Sequence, residues 1–172
     1  KKTIIIDCDL RRPRIHKLLS CEKAPGLTDY LFGNLYYEEI IRTSEMNNLF
    51  VIPSGTKVSN PAEVLGSVKF YEFMKKIEED FDIVILDSSP VLAVTDSEIL
   101  SHLVDVSIIV VAAHSTETDV LKNAAELLNK DHNSTIGVLL NNFVYKNGYG
   151  NYYKSYTYYD DRPRKKERIS NN

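Results

Sequence analysis

Five short apolar runs limit the fold of this chain most strongly: "TIII" (3–6), "LFVI" (49–52), "IVIL" (83–86), "VSIIVV" (106–111) and "IGVLL" (136–140). They are rich in β-branched residues, which favour strands. They are continuous rather than alternating, the pattern of strands covered on both faces. Helical patterns fill the intervals. In "NPAEVL", Asn60 stands as N-cap, Pro61 at the first helical position and Glu63 at the third. After Gly66, Ser67 is placed to cap "VKFYEFMKKIEEDF". "TDSEILSHL" offers Thr95 and Glu98 as a capping box, and "TETDVLKNAAELLNK" is amphipathic. Strands alternating with helices predict an α/β fold, a mostly parallel sheet with helices on both sides. In such sheets ligands bind at the carboxyl ends of the strands.

Carboxylates follow two of those strands. Asp7 and Asp9 end "IIIDCD", and Asp87 ends "VILD". A parallel sheet brings all three to one edge, where like charges disfavour one another unless a cation intervenes. Mg²⁺ is the natural candidate, because it takes oxygen ligands and keeps its waters. A lone strand-end Asp is explained as well by turn chemistry. Two matching patterns, one reading D-x-D-x-R and the other D-x-x-P, favour a site. Arg11 and Arg12 are placed to balance the charge, Arg11 also as a candidate cofactor-binding residue, and a solvated turn accounts for them equally. Asp96 in "AVTD" can face the same edge or cap a helix. The four histidines, His16, His102, His114 and His132, share no spacing. Cys8 and Cys21 read as free thiols.

The charge is unevenly spread. Val144 to Asn172 holds seven Lys/Arg and three Asp/Glu, a surplus of +4, whereas the rest holds 14 and 21, a deficit of −7. The acidic body argues against a broad nucleic-acid footprint. No apolar run is long enough to span a bilayer as a helix. After Phe143 the apolar period ends. Seven of the eleven tyrosines follow: Tyr145, Tyr149, Tyr152, Tyr153, Tyr156, Tyr158 and Tyr159. The expected division is therefore a folded part, 1–143, and a tyrosine-rich basic tail, 144–172, without a packed layer of its own.

"IIIDCDLR" resembles the second Walker-type motif of the bacterial tyrosine kinases (BY-kinases) of capsule and exopolysaccharide synthesis, and V-I-L-D-S-S-P (84–90) resembles their Walker B. "APGLTDYL" (24–31), "NLFVIPSG" (48–55), "NPAEVL" (60–65), "PVLAVTD" (90–96) and the tyrosine cluster are also similar to that family. Single motifs are shared with ATPases that partition DNA or place division sites; the tyrosine tail is the more specific feature. The resemblance implies a P-loop NTPase-like α/β/α fold using ATP and Mg²⁺. It would make Asp7 the base that accepts the tyrosine proton, with Asp9 and Asp87 holding Mg²⁺. The residues alone leave Asp7 and Asp9 interchangeable as the base. Asn141 lies where related ATPases contact adenine, though a strand-end Asn explains it nearly as well. The seven tail tyrosines become phosphorylation sites.

The family's P-loop, G-x-x-x-x-G-K-[ST], has no match here. "SGTK" (54–57) lacks a glycine five residues before Gly55 and has Val58 in place of the hydroxyl. The expectation is the carboxyl-terminal part of a kinase, without the P-loop strand and helix, and that strand lies inside the sheet in this family. The resemblance further implies a ring of subunits that phosphorylate one another's tails. It implies activation by a membrane protein of the polysaccharide co-polymerase type, placing the kinase in the cytoplasm at the inner face of the membrane. Two other readings stand beside it: a partitioning or cell-division ATPase, and a non-catalytic docking module with a tyrosine-rich tail.

Overall fold

The computed structural model describes residues 1–129 and 135–144. The tail tyrosines lie outside them. Among the described residues, six strands and six α-helices follow in the order β1 (Thr3–Asp7), α1 (Ile15–Leu18), α2 (Leu27–Phe32), β2 (Arg42–Thr43), β3 (Leu49–Ile52), α3 (Pro61–Leu65), α4 (Val68–Asp80), β4 (Ile83–Asp87), α5 (Asp96–Ser101), β5 (Val106–Ala112), α6 (Thr118–Leu128) and β6 (Thr135–Asn141). A 3₁₀ turn, Tyr37–Ile40, precedes β2.

All five apolar runs form strands, and the expected mixed α/β architecture with a mostly parallel sheet is present. β1 pairs in parallel with β3 on one side and β4 on the other. The two-residue β2 adds an antiparallel edge. The described strands form two sheets: β2-β3-β1-β4, and a parallel β5-β6 pair. The break falls between β4 and β5.

The main core lies on one face of the larger sheet. Ile4 and Ile6 of β1 and Ile52 of β3 are fully buried there with Leu27, Phe70 and Ile77. Helix α4 reaches this core through Phe70, Phe73, Met74 and Ile77, the i, i+3, i+4, i+7 spacing of one helical face. Its start is fixed as the sequence predicts: Ser67 Oγ accepts the Phe70 N–H at 3.2 Å.

Other local expectations are corrected. The Thr95 side chain makes no capping hydrogen bond. Its backbone is already helical (φ −78°, ψ −6°), whereas an N-cap needs a non-helical residue to turn its oxygen onto the first N–H groups. Asn60 makes no cap either; its amide donates to Glu63 Oε2 at 3.1 Å. Nor are all strands covered on both faces. Ile83 and Ile85 of β4, and Val106, Ile108 and Val110 of β5, are exposed among the described residues. A continuous apolar run reports a preference for burial; it does not identify the covering element.

This layout separates two kinds of strand residue. Ile6→Ala should cost about 2–5 kcal/mol, the range for emptying a packed aliphatic site. Ile108→Ala, 64% exposed against 0% for Ile6, should cost under about 0.5 kcal/mol. Urea unfolding of the two variants checks this, and equal losses would contradict the burial pattern.

Candidate active site

The site grows from the strand register. Asp7 and Asp87 are direct partners at the ends of β1 and β4. In a parallel pair, partners project to the same face. That face carries Ile5, Ile83 and Ile85 and is opposite the Ile4–Ile6 core, because successive side chains alternate. The ladder continues one step further, with Cys8 N–H donating to the Asp87 carbonyl at 2.8 Å. The next residues, Asp9 and Ser89, then face each other across the two loops.

The three carboxylates have different surroundings. Asp7 is fully buried. Its Oδ2 accepts the Ile15 N–H at 3.1 Å, while Oδ1 is buried with no hydrogen-bond partner among the described residues. Burial, opposed by the Ile15 N–H and reinforced by Asp87 and Asp9, pushes the Asp7 carboxyl up to about 6. Asp87 is half-buried, and desolvation followed by the nearby Asp9 charge raises it too. Asp9 Oδ1 collects three donors: Arg11 N–H at 3.2 Å, Arg12 N–H at 3.0 Å and the Ser89 hydroxyl at 2.7 Å.

Arg11 is not left to solvent. Its Nε and Nη2 donate to Asp96 Oδ2 and Oδ1 at 2.8 and 3.0 Å, a two-pronged pair. Asp96 is fully buried, and this pair satisfies both of its oxygens. Ser97 donates to the Ser89 carbonyl, and its Oγ lies 3.2 Å from Ser88 Oγ, close enough to accept that hydroxyl's proton. The loops after β1 and β4 and the first turn of α5 are thus joined. Asp96 and Ser89 were the harder residues to find from sequence. The two hydroxyls that follow Asp87 and the Asp of "AVTD" were the available signals. Arg12 contributes its backbone and is otherwise exposed.

Asn141 ends β6, pairing with Ala112. It is exposed, and its Oδ1 accepts the Asn142 N–H at 2.9 Å. Among the described residues no hydrogen bond joins it to the carboxylates. The seven tail tyrosines are outside the described residues.

The donor set can be tested against a metal. Among the described residues no group of three or more His, Cys, Asp and Glu is arranged to hold an ion by itself. Mg²⁺ in phosphoryl-transfer sites commonly takes one or two carboxylates and completes its octahedron with waters and substrate phosphates. Asp9 and Asp87 suit that role: two carboxylates whose proximity raises one of them would both be relieved by a cation. Their upward pressure on Asp7 would also be relieved.

Asp7 makes stability depend on pH. Its carboxyl is protonated more readily folded, with a pKa near 6, than unfolded, where the ordinary value is near 3.9. Its contribution is therefore fully present below the unfolded value and lost as pH rises through about 6. Asp7→Asn imitates the protonated form. It should stabilise the chain at about pH 8 by up to ~3 kcal/mol, and the gain should fade as pH falls from about 6 towards 4. Denaturant unfolding across that range is the check. A gain independent of pH would show that Asp7 is not the buried titrating group.

A family model described as an AAA domain matches residues 1–138. The tyrosine-protein kinase ptk of Acinetobacter johnsonii is 38% identical over 144 residues, covering 84% of this chain and 19% of that protein. The tyrosine-protein kinase YwqD of Bacillus subtilis is 34% identical over 141 residues, covering 82% of this chain and 60% of that one. Among solved structures, the VpsO kinase domain superposes with a TM-score of 0.78 at 34% identity, covering 83% of this chain and 71% of that domain. A septum site-determining protein MinD from Pyrococcus horikoshii shares the fold alone, at 19% identity and a TM-score of 0.63, with 81% and 57% covered. The chain spans about a fifth to three fifths of the length of the curated kinases it matches. With the D-x-D and D-x-x-P loops joined at one strand edge, it belongs to the AAA-domain family and, within it, to the bacterial tyrosine kinases of the capsular and exopolysaccharide type.

Proposed function

We propose that this chain supplies the acidic half of the phosphoryl-transfer site of an autophosphorylating protein-tyrosine kinase regulating capsular or exopolysaccharide synthesis. One observation carries the reading: Asp7 and Asp87 in register at adjacent strand ends, with Asp9 beside them in the loop. The acceptors would be tail tyrosines, Tyr145 to Tyr159, of a neighbouring subunit.

The chemistry assigns distinct roles. Bound ATP–Mg²⁺ would supply the phosphoryl group and the charge that offsets the carboxylates. Asp9 and Asp87 would hold the ion, largely through its waters. Asp7 would take the phenolic proton. A tyrosine hydroxyl ordinarily titrates near 10, so a positioned base with a pKa nearer neutrality assists its attack. Two features favour Asp7 over Asp9 for this step. Its carboxyl lies near 6 with one buried oxygen unpaired, whereas Asp9 Oδ1 is committed to three donors. Asn141 would contribute to the nucleotide pocket from the end of β6.

The phosphate cradle must come from elsewhere, since no P-loop motif occurs in the 172 residues. We infer that a P-loop strand and helix ahead of the D-x-D motif complete the site. The break between β4 and β5 and the exposed apolar residues flanking it support this. On the same reading, the partners would be identical subunits in a ring and a membrane activator of the polysaccharide co-polymerase type. The kinase would then work at the inner face of the membrane. The described residues contain no helix long and apolar enough to cross a membrane. The fold shared with the septum site-determining protein MinD leaves a cell-division-type ATPase as the second reading, but seven clustered tyrosines have no use in it.

The chain 1–172 alone should show no measurable ATP–Mg²⁺ binding by titration calorimetry; micromolar affinity would overturn this division of the site. With the P-loop segment restored, Asp7→Asn and Asp9→Asn should each slow tyrosine phosphorylation by at least ~10²-fold. Wild-type rates in both variants would reduce these residues to turn-formers.

A further inference from the structure

The contacts of Asp9 are one-sided. Arg11 N–H, Arg12 N–H and the Ser89 hydroxyl all converge on Oδ1, and among the described residues Oδ2 accepts no hydrogen bond. The backbone donors belong to Asp9's own loop, two and three residues on. Ser89 is different: it comes from the loop after β4, 80 residues away in sequence. Its hydroxyl has one proton, and the 2.7 Å contact to Asp9 is far better than the 3.5 Å contact to Asp96, so Asp9 receives it.

Ser89 is itself immobilised. It is 3% exposed, and Ser97 at the start of α5 donates to its carbonyl. The residue before Ser97, Asp96, holds Arg11 by the two-pronged pair. Both sides of the Ser89–Asp9 contact are therefore anchored to the same turn of α5. Groups that hydrogen-bond a metal-holding carboxylate orient it and tune its affinity, and their loss commonly costs 10–100-fold.

We propose that Ser89, together with the Arg11–Asp96 pair, is a positioning element for Asp9, turning its carboxylate so that Oδ1 is spent on the protein and Oδ2 is presented to the hydrated magnesium ion. The proposal rests on the kinase reading and assigns three residues work that reading does not require. It also gives Arg11 a specific role, in which its guanidinium acts through Asp96 and the loop, not on the nucleotide. Ser89→Ala removes a single donor and leaves the ion pair intact. Arg11→Lys keeps the charge and removes the fork that reaches both Asp96 oxygens.

The test uses the complete kinase, P-loop included, and reads binding of a fluorescent ADP with and without Mg²⁺. Ser89→Ala should raise the Mg²⁺ concentration needed for half-maximal binding about tenfold, while ADP affinity in EDTA stays at the wild-type value. Ser89→Thr, which keeps the hydroxyl, should restore the Mg²⁺ response. Arg11→Lys should shift it in the same direction as Ser89→Ala. If Ser89→Ala lowers the melting temperature but leaves the Mg²⁺ response unchanged, the residue only ties the loops together and the proposal is overturned. Equal weakening with and without Mg²⁺ would overturn it too. A wild-type kinase without Mg²⁺-dependent nucleotide binding would remove the parent reading, and this one with it.

Discussion

Two aspartates forced into register at the ends of adjacent strands are the constraint on which the site depends. β1 and β4 pair over five residues, from Thr3–Ile83 to Asp7–Asp87, so the backbone ladder itself brings the carboxylates together. Burial disfavours both charges, and each carboxylate disfavours the other. Asp7 yields by shifting its pKa to about 6. The surrounding loops compensate with backbone N–H groups, one hydroxyl and one guanidinium. Asp9 and Asp96 are each given donors of their own. The carboxylates crowd one edge, and a cation placed there would relieve their mutual repulsion.

The fold supports this arrangement from one side. Ile4, Ile6 and Ile52 face α4 through a closely packed core, anchoring β1 and β3 from below. The carboxylates project to the opposite face. There Asp7 is buried, but Ile83 and Ile85 along β4 are exposed. A rigid scaffold on one face and open apolar surface on the other is the condition in which a further strand and helix could add to a sheet already set to receive them.

Much of this was legible in the sequence, and the failures have identifiable causes. Continuous β-branched runs located every long strand, because their composition has few other uses. The Asp7–Asp87 pairing followed from two runs that end alike. β2 and α1, with two and four residues, span about one period each, too little for a repeat to show in the sequence. Thr95 and Glu98 matched a capping box in spacing alone; the backbone at Thr95 decides otherwise. The Ser89–Asp9 and Arg11–Asp96 contacts join residues 80 and 85 positions apart. Local patterns do not pair residues so far apart, so the hydroxyls after Asp87 marked Ser89 only by proximity, and Arg11 was assigned to charge balance and nucleotide contact instead of to Asp96. The tyrosine cluster was conspicuous by composition, and its role rests on chemistry and kinship.

The central claim is that these carboxylates serve transfer to tyrosine rather than hydrolysis to drive partitioning. The most direct measurement is phosphosite mapping by mass spectrometry after incubating the complete kinase with ATP–Mg²⁺. Transfer to tyrosine predicts phosphate on several residues between Tyr145 and Tyr159, and none there when Asp7 and Asp9 are both replaced by Asn. Release of inorganic phosphate at a normal rate with every tail tyrosine unmodified would contradict it and identify the chain as part of an ATPase of another purpose.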